Sequence, residues 1–196
     1  MFNPRDMQRS NIALLLETLS ATTHRTSDEL LHMFNTFFAS AAFESVRTCT
    51  KQVPAAPQVI ERLKDAGYAV VIATNPIYVA EAIRQRLKWA GLPDDFSAYS
   101  FVTHAENMHF AKPHPAYYAE ILGRVGVEPD EALMLGDDER NDIQPAATVG
   151  LYTRQIAAHT LHEFLDEIDS LEDLPNRGPH EESITPQLMG NVGELY

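Results

Sequence analysis

Three polar sites follow apolar stretches of the chain, and their residue types suit phosphate chemistry. The first is Thr74, which together with Asn75 comes directly after the apolar run of residues 68–73. A hydroxyl group and the free backbone N–H groups of a helix N-terminus can hold an anion between them. Thr and Asn are also favoured as helix caps, so a purely structural role is the alternative for both.

The second site is Lys112, which lies in a short loop segment, residues 110–115. Pro113 and Pro115 follow it and restrict the backbone, so the lysine side chain should have a fixed direction. An ammonium group held in one direction suits a phosphate or a carboxylate. A solvated surface charge is the alternative.

The third site is an acidic cluster at the end of another apolar run, residues 132–135. Asp137, Asp138 and Asp142 follow this run within one short segment. Their like charges repel one another, and a divalent cation is the natural compensation. Mg²⁺ takes carboxylate oxygens and keeps water positions free for a substrate phosphate. The alternative is an ordinary helix start, where acidic residues are also favoured.

Strand-like and helix-like patterns alternate through the part of the chain that holds these sites. The strand-like segments are residues 68–73, 99–102, 132–135 and 151–153, and the helix-like segments are residues 57–67, 77–90, 116–125 and 139–148. This alternation predicts βαβ units and an α/β fold with a doubly wound parallel sheet. Ligands of such sheets bind at the carboxyl ends of the strands, so the three sites should converge on one rim. Together they provide what phosphoryl transfer requires.

The two ends of the chain have different patterns from the middle. Residues 12–47 are helical in pattern, and Thr26 with Glu29 fits a capping box at the start of a second helix. Residues 50–57 lack an apolar period and contain two prolines, which predicts a linker. Residues 175–196 are predicted to be a flexible tail.

Composition restricts the partners and the compartment. The 15 basic and 28 acidic residues give a formal net charge of −13, which argues against nucleic acid and anionic membranes as partners. A single cysteine, Cys49, cannot form an internal disulfide, which predicts a reducing cytoplasm. No apolar run approaches the roughly 20 residues of a membrane span, and residues 1–10 lack a signal peptide's apolar stretch. The oligomeric state stays open.

The three sites resemble three of the four motifs of the haloacid dehalogenase-like (HAD) hydrolase superfamily. Residues 70–75 resemble the second motif, in which a Thr or Ser binds the phosphate. Lys112 resembles the lysine of the third motif, which steadies the nucleophile and the phosphate. Residues 136–142 resemble the fourth motif, which implies that Asp137 is a metal ligand and that Asp138 and Asp142 are further ligands or supporting carboxylates.

This resemblance implies a Rossmann-like core and a Mg²⁺-dependent phosphatase that acts on a small phosphorylated metabolite. It implies catalytic roles for Thr74 and Lys112, and substrate binding by the same two residues with Asn75. It also divides the chain into a helical cap segment, a HAD-like core and the tail, which are residues 1–52, 53–174 and 175–196.

The first motif of the family, an apolar strand that ends in Asp-x-Asp, does not occur in this sequence. Its first aspartate attacks phosphorus, and without a carboxylate nucleophile the covalent route is closed. The nearest imitation is residues 12–18, where Glu17 would take the nucleophile's place, but their apolar spacing is helical. We therefore expect a core without its first, central strand, with unpaired neighbouring strand edges, in a shortened version of a longer hydrolase.

Three other interpretations stay open beside an active phosphatase. The first is a non-catalytic module that binds phosphate and metal, and the second is a metal-independent haloacid dehalogenase. A receiver-type signalling domain fits less well, because its acidic pair precedes its Thr/Ser and Lys along the chain. His109 and His114 are further candidates for substrate contact. Residues 84–88 carry three basic side chains that we interpret as a solvated helix face.

Overall fold

A computed structural model describes residues 8–168 and Leu171 of the protein. Its helices are α1 (Asn11–Thr23), α2 (Ser27–Phe38), α3 (Ala41–Glu44), α4 (Ala55–Asp65), α5 (Ala80–Trp89), α6 (Pro115–Val125), α7 (Gln144–Val149) and α8 (Phe164–Glu167). Its strands are β1 (Val71–Ile72), β2 (Phe101–Val102), β3 (Leu133–Gly136) and β4 (Tyr152–Gln155). Short 3₁₀ helices cover Ser45–Cys49, Phe96–Ala98, Pro129–Glu131 and Leu161–Glu163, and a π-helical turn covers Glu139–Ile143. The predicted tail lies outside the described residues.

The helical pattern of the N-terminal region is confirmed. α2 begins at the predicted capping box, in which Thr26 accepts from the backbone N–H of Glu29 and the Glu29 carboxylate accepts in return. Ile12, Leu16 and Leu30 of α1 and α2 form a buried cluster with residues of α5 and of the loop after β2. No helix among the described residues is long and apolar enough to cross a membrane.

The strands confirm the predicted α/β class, because both strand pairs are parallel and are connected through helices. β1 pairs with β2 in the register Val71 to Phe101, and β3 pairs with β4 in the register Leu133 to Tyr152. β1 is shorter than the predicted strand, residues 68–73. It has a single strand neighbour within the described part of the chain, so only the residues opposite β2 enter a ladder.

The two strand pairs lie in one layer between the same helices. On one face, Val71 of β1 and Met134 of β3 pack into a single apolar cluster with Tyr117 and Tyr118 of α6. On the other face, α4 packs against both pairs: its Val59 belongs to the cluster beneath β3, whereas other α4 side chains join the cluster beneath β1. The strand layer is therefore covered by helices on both faces.

Candidate active site

A cleft of about 530 Å³ contains most of the predicted site residues. β1 and β3 both contribute to its lining. So do five of the six predicted residues: Thr74, Asn75, Lys112, Asp137 and Asp142. Asp138, the sixth, does not line the cleft. The three sites that are separate in the sequence thus come together where these two strands end, while their chemical roles stay predictions.

Lys112 and Asp142 form a buried ion pair in this cleft. The Lys112 Nζ lies 2.6 Å from Asp142 Oδ1, and each side chain is only 9% exposed. The Lys112 ammonium also lies 5.7 Å from the centre of the Tyr117 ring. Lys112 is therefore not the solvated surface charge that the sequence left open as the alternative.

Gly136, the last residue of β3, makes this position of Asp142 possible. A Cβ atom at Gly136 would lie 2.4 Å from both Cβ and Oδ2 of Asp142. Real Cβ atoms do not approach other atoms so closely, so the acidic side chain would have to move. A glycine at this strand end is thus needed for packing against the buried pair.

We expect Gly136→Ala to destabilise the protein by about 1–3 kcal/mol, the usual cost of overpacking a buried site. Gly123→Ala is the matched control, since a Cβ at that position in α6 meets nothing within 4 Å. It should be neutral, or stabilising by up to about 1 kcal/mol, because alanine is the better helix former. Urea denaturation of both variants measures the difference, and equal effects would contradict the proposed packing.

Asp138 caps the helical turn that follows β3. Its Oδ1 accepts from the backbone N–H groups of Arg140 and Asn141, both at 2.9 Å, and its Oδ2 accepts from Asn141 Nδ2 at 2.7 Å. These hydrogen bonds, led by that of the Asn141 side chain, lower the pKa of Asp138. For this aspartate the structure shows the helix-start role that the sequence allowed as the alternative.

The turn that Asp138 caps is π-helical, whereas the sequence predicted one α-helix over residues 139–148. Pro145 explains the difference, because it has no N–H to donate to the carbonyl of Asn141 one turn earlier. That carbonyl accepts instead from the Tyr118 hydroxyl at 2.6 Å. Burial raises the pKa of Tyr118, so its hydroxyl keeps the proton that this bond needs at neutral pH.

Two buried hydroxyl groups fix the end of β1. Thr103 Oγ1 and the Tyr117 hydroxyl both donate to the carbonyl of Thr74, at 2.6 and 2.8 Å. Both residues are fully buried, and burial raises the pKa of Tyr117. Sequence reasoning missed both of them. The only signals were a threonine that continues the apolar run of β2 and a tyrosine on the apolar face of α6.

Asn75 has a buried side-chain oxygen, Oδ1, for which the described residues provide no hydrogen-bond partner. A buried polar atom without a partner costs free energy, and an ordered water, an ion or a ligand is one way to satisfy it. The substrate-binding role of Asn75 stays a prediction.

Arg86 is a cleft residue that the sequence did not identify. The structure separates the three basic side chains of residues 84–88. Arg84 lies 4.2 Å from the Phe96 ring and Lys88 pairs with Asp94 at 3.2 Å, whereas the exposed Arg86 lines the cleft. A helical charge pattern does not tell which of these side chains reaches the strand ends.

Neither His109 nor His114 reaches the cleft. His109 Nδ1 contacts Glu120 at 2.7 Å, and His114 Nδ1 accepts from the first turn of α6. Glu17 does not reach the cleft either: it is an exposed residue of α1 and pairs with Arg9. The strand-like interpretation of residues 12–18 is therefore wrong, as their helical spacing indicated.

Glu120 should make folding sensitive to acid. Burial raises the pKa of its carboxyl, but hydrogen bonds from His109 and Arg124 outweigh burial, so the folded-state pKa lies below the ordinary value of 4.5. Its stabilising contribution is then complete above about pH 4.5 and is lost as the pH falls through the lower folded-state pKa. We expect Glu120→Gln to flatten this part of a stability profile measured between pH 3 and 7, while Glu61→Gln at an exposed site of α4 leaves it unchanged.

Comparison with known proteins identifies the family to which the chain belongs. The family model described as a haloacid dehalogenase-like hydrolase matches residues 6–150, which is most of the chain. The chain belongs to this family. The family membership agrees with the parallel α/β core and with the order of Thr74, Lys112 and the acidic segment along the sequence.

Relatives within the HAD family include several phosphatases. The glyceraldehyde 3-phosphate phosphatase of Pyrococcus furiosus is 37% identical over 108 residues, which cover 54% of this chain and 42% of that protein. The pyrophosphatase PpaX of Bacillus velezensis is 27% identical over 143 residues, with coverages of 73% and 62%. The phosphoglycolate phosphatase of Pasteurella multocida is 28% identical over 140 residues, with coverages of 71% and 60%. The chain thus spans between 42% and 62% of the length of these relatives.

Among solved structures, a HAD phosphatase from Thermococcus onnurineus is 23% identical to this chain. It aligns over 74% of this chain and 76% of its own, with a TM-score of 0.49.

The HAD family, with phosphatases among this chain's relatives, suggests a divalent metal cofactor, and the cleft provides part of a site for one. Within the described residues no three His, Cys, Asp or Glu side chains are grouped closely enough to hold a metal ion. Asp137 and Asp142 both line the cleft, and Mg²⁺ needs only one or two carboxylates beside water and substrate oxygens. The carboxylates of these two residues are of the right type for the cofactor, and the oxygens of Asp142 accept from Lys112 Nζ and from the Asp138 N–H, at 2.6 and 3.3 Å. A ligand role for Asp138 stays a prediction, since both its oxygens accept hydrogen bonds in the helical turn.

Proposed function

We propose that this chain carries the phosphate- and metal-binding site of a Mg²⁺-dependent phosphatase for small phosphorylated metabolites. The buried Lys112–Asp142 pair, in one cleft with Thr74, is the observation that supports this most directly. Burying an ion pair is costly and contributes little to stability, so a buried pair that lines a cleft is more typical of a functional site. The phosphatases among the relatives favour this function over dehalogenation.

Six of the residues that line the cleft have roles in this proposal. Lys112 neutralises part of the phosphate charge, and the Thr74 hydroxyl with the Asn75 amide binds phosphate oxygens. Asp137 and Asp142 hold the Mg²⁺ ion, which when bound withdraws charge from the phosphate during bond cleavage. Arg86 adds a second positive charge to the cleft, which suits a doubly charged phosphate or a second anionic group on the substrate.

The described residues do not provide the nucleophilic aspartate of an Asp-x-Asp motif that the family uses. The lining of the cleft includes two carboxylates, Asp137 and Asp142, and both are assigned here to the metal. We propose that the attacking carboxylate comes from a strand outside these 196 residues.

In the corresponding domain organisation, residues 1–52 are a helical cap, residues 53–174 are a core without its first strand, and residues 175–196 are a tail. We also place the protein in the cytoplasm, in keeping with its free Cys49.

Hydrolysis of p-nitrophenyl phosphate with and without Mg²⁺ tests the proposal. The chain should be compared with its Asp137→Asn variant and with a form extended upstream in its gene. We expect Mg²⁺-dependent turnover in the extended form. Asp137→Asn should lower this turnover by roughly 100-fold or more, because it removes a charge-stabilising group of the transition state.

Binding of Mg²⁺ and inorganic phosphate, measured by calorimetry, separates the proposal from its main alternative. Binding without turnover in both forms would favour a non-catalytic module, for which the absence of an Asp-x-Asp motif is the supporting observation. Absence of both binding and turnover would contradict a phosphate site. Turnover by the 196-residue chain itself would show that one of its own groups replaces the family's nucleophile.

A further inference from the structure

Tyr78 presents an aromatic ring beside the proposed phosphate site. It lies in the loop between β1 and α5, and it lines the same cleft as Thr74 and Lys112. Among the described residues that line this cleft, it is the only aromatic one. The residue is 41% exposed, although aromatic side chains gain most when they are covered. A ring in this position is typical of the apolar part of a ligand site.

The backbone of Tyr78 is held in place by neighbouring segments. Its carbonyl accepts from the backbone N–H of Ala105 at 2.8 Å. In the turn just before it, the Ile77 N–H donates to the carbonyl of Asn75 at 2.9 Å. Val79, which follows, is only 2% exposed. The loop therefore fixes the point from which the Tyr78 side chain extends.

A row of aromatic rings supports the Tyr78 side chain from the helical segment. The Tyr78 ring meets the Phe38 ring of α2 edge to face, with the ring centres 6.0 Å apart. Phe38 contacts Phe43 of α3, and Phe43 contacts the buried Trp89 of α5, with ring centres 4.8 Å apart in both pairs. Contacts of this kind favour particular ring orientations. One side of the Tyr78 ring is therefore held by protein, while its exposed part stays open to a ligand.

The exposed residues of the cleft show where the leaving group of a phosphate ester can extend. Lys112 and Asp142 are each 9% exposed, so they lie at the closed end of the cleft. Of the residues that line the cleft, Tyr78, Arg86 and Asp137 are exposed. Asp137 is assigned to the metal, which leaves the side with Tyr78 and Arg86. A leaving group that extends towards solvent on this side passes the Tyr78 ring.

Arg86 belongs to the same wall of the cleft as this ring. Its guanidinium lies 6.0 Å from the centre of the Tyr78 ring. A guanidinium can lie against an aromatic ring and still donate hydrogen bonds to phosphate oxygens. The positive charge and the aromatic ring are therefore close enough to contact the two parts of one ester.

From these observations we propose that Tyr78 determines the substrate class, which is a phosphate monoester whose leaving group contains a planar aromatic ring. The ring of the leaving group stacks on Tyr78, while Thr74 and Lys112 hold the phosphate. Stacking of two rings adds roughly two- to tenfold in affinity to the effect of apolar burial. This inference rests on the proposed phosphatase function, because it concerns the group joined to the phosphate.

Phosphonates test this inference without any nucleophile, since they have no ester bond to break. Calorimetry in the presence of Mg²⁺ compares benzylphosphonate, cyclohexylmethylphosphonate and methylphosphonate as ligands of the 196-residue chain. The first two ligands have rings with the same number of carbon atoms, but only the benzyl ring is planar. We expect benzylphosphonate to bind about tenfold or more tightly than methylphosphonate. It should bind about threefold or more tightly than cyclohexylmethylphosphonate.

Two variants of Tyr78 assign this preference to its ring. Tyr78→Leu keeps an apolar side chain without a ring, and it should remove the preference for benzylphosphonate over cyclohexylmethylphosphonate. Tyr78→Phe keeps the ring and should keep the preference. Phe37→Leu is the matched control, because Phe37 is 50% exposed but does not line the cleft. It should leave the preference unchanged.

Inorganic phosphate, measured in the same way, separates the failure of this inference from the failure of the phosphate site. If inorganic phosphate binds but the two ring-containing phosphonates bind equally, the phosphate site stands and the role of Tyr78 is overturned. Loss of the preference in Phe37→Leu, or its persistence in Tyr78→Leu, would also overturn that role. If neither inorganic phosphate nor any phosphonate binds, the proposed function fails and this inference fails with it.

Discussion

Replacing Lys112 by methionine should destabilise the fold by about 3–5 kcal/mol, the usual cost of leaving one member of a buried ion pair alone. The Asp142 carboxylate would stay 9% exposed without its counter-charge. Methionine keeps most of the volume of the lysine stem, so the loss reports the charge rather than a cavity. Urea denaturation at pH 7 measures the change.

A double-mutant cycle measures the interaction between Lys112 and Asp142 apart from the other contacts that each residue makes. We expect Lys112→Met with Asp142→Asn to be clearly more stable than the sum of the single effects predicts, because removing both charges leaves none buried alone. Lys88→Met is the matched control, since Lys88 and Asp94 form a pair whose side chains are 50% and 45% exposed. It should cost less than about 1 kcal/mol, as exposed pairs do. Similar losses for Lys112 and Lys88 would contradict a buried pair.

The convergence of the site could be predicted from the sequence because it depends on strand ends. Thr74 and Asp137 each follow an apolar run, and both runs become parallel strands whose ends line one cleft. Lys112 could be assigned because two prolines, Pro113 and Pro115, follow it and restrict its loop. In each case the local pattern and the fold agree, so the prediction did not depend on any particular side-chain contact.

The parts that could not be predicted depend on long-range packing. The acidic residues look equivalent in sequence, yet Asp138 caps a turn whereas Asp142 is buried against Lys112. Gly136 decides the second outcome by allowing close approach. Thr103 and Tyr117 support the Thr74 carbonyl from other elements, 29 and 43 residues away along the chain. No periodicity in the sequence identifies such contacts.

The length of β1 could not be predicted from the sequence either, because it also depends on residues that are distant along the chain. Residues 68–73 have the composition of a strand buried on both faces, but a strand requires partners as well as composition. With β2 as its one neighbour among the described residues, β1 extends over only two residues, Val71 and Ile72, and both are half-buried. An apolar run therefore predicts where a strand lies, while its length depends on which neighbours are present.

Asp137→Asn should abolish most Mg²⁺ binding while leaving the metal-free fold intact. The Asp137 side chain is exposed, and it is the carbonyl of this residue that accepts from Gln155. A surface substitution of this kind changes the free energy of unfolding by less than about 0.5 kcal/mol. We expect Mg²⁺ affinity, measured by calorimetry, to fall by about tenfold or more, since one of the two carboxylates proposed to hold the ion is lost.

Asp138→Ala should lower the stability of the metal-free fold more, and Mg²⁺ affinity less, than Asp137→Asn does. The reason is that Asp138 caps the turn with both carboxylate oxygens. Loss of the cap should lower the midpoint of urea denaturation measured without Mg²⁺, because an aspartate cap stabilises the start of a helix. Mg²⁺ affinity should fall less than in Asp137→Asn, because the carboxylates that line the cleft remain. If Asp138→Ala instead lost Mg²⁺ binding as fully as Asp137→Asn, with unchanged stability, Asp138 would be a metal ligand. The cap would then have to open when the ion binds, which makes the pair of variants a direct test of which aspartates hold the metal.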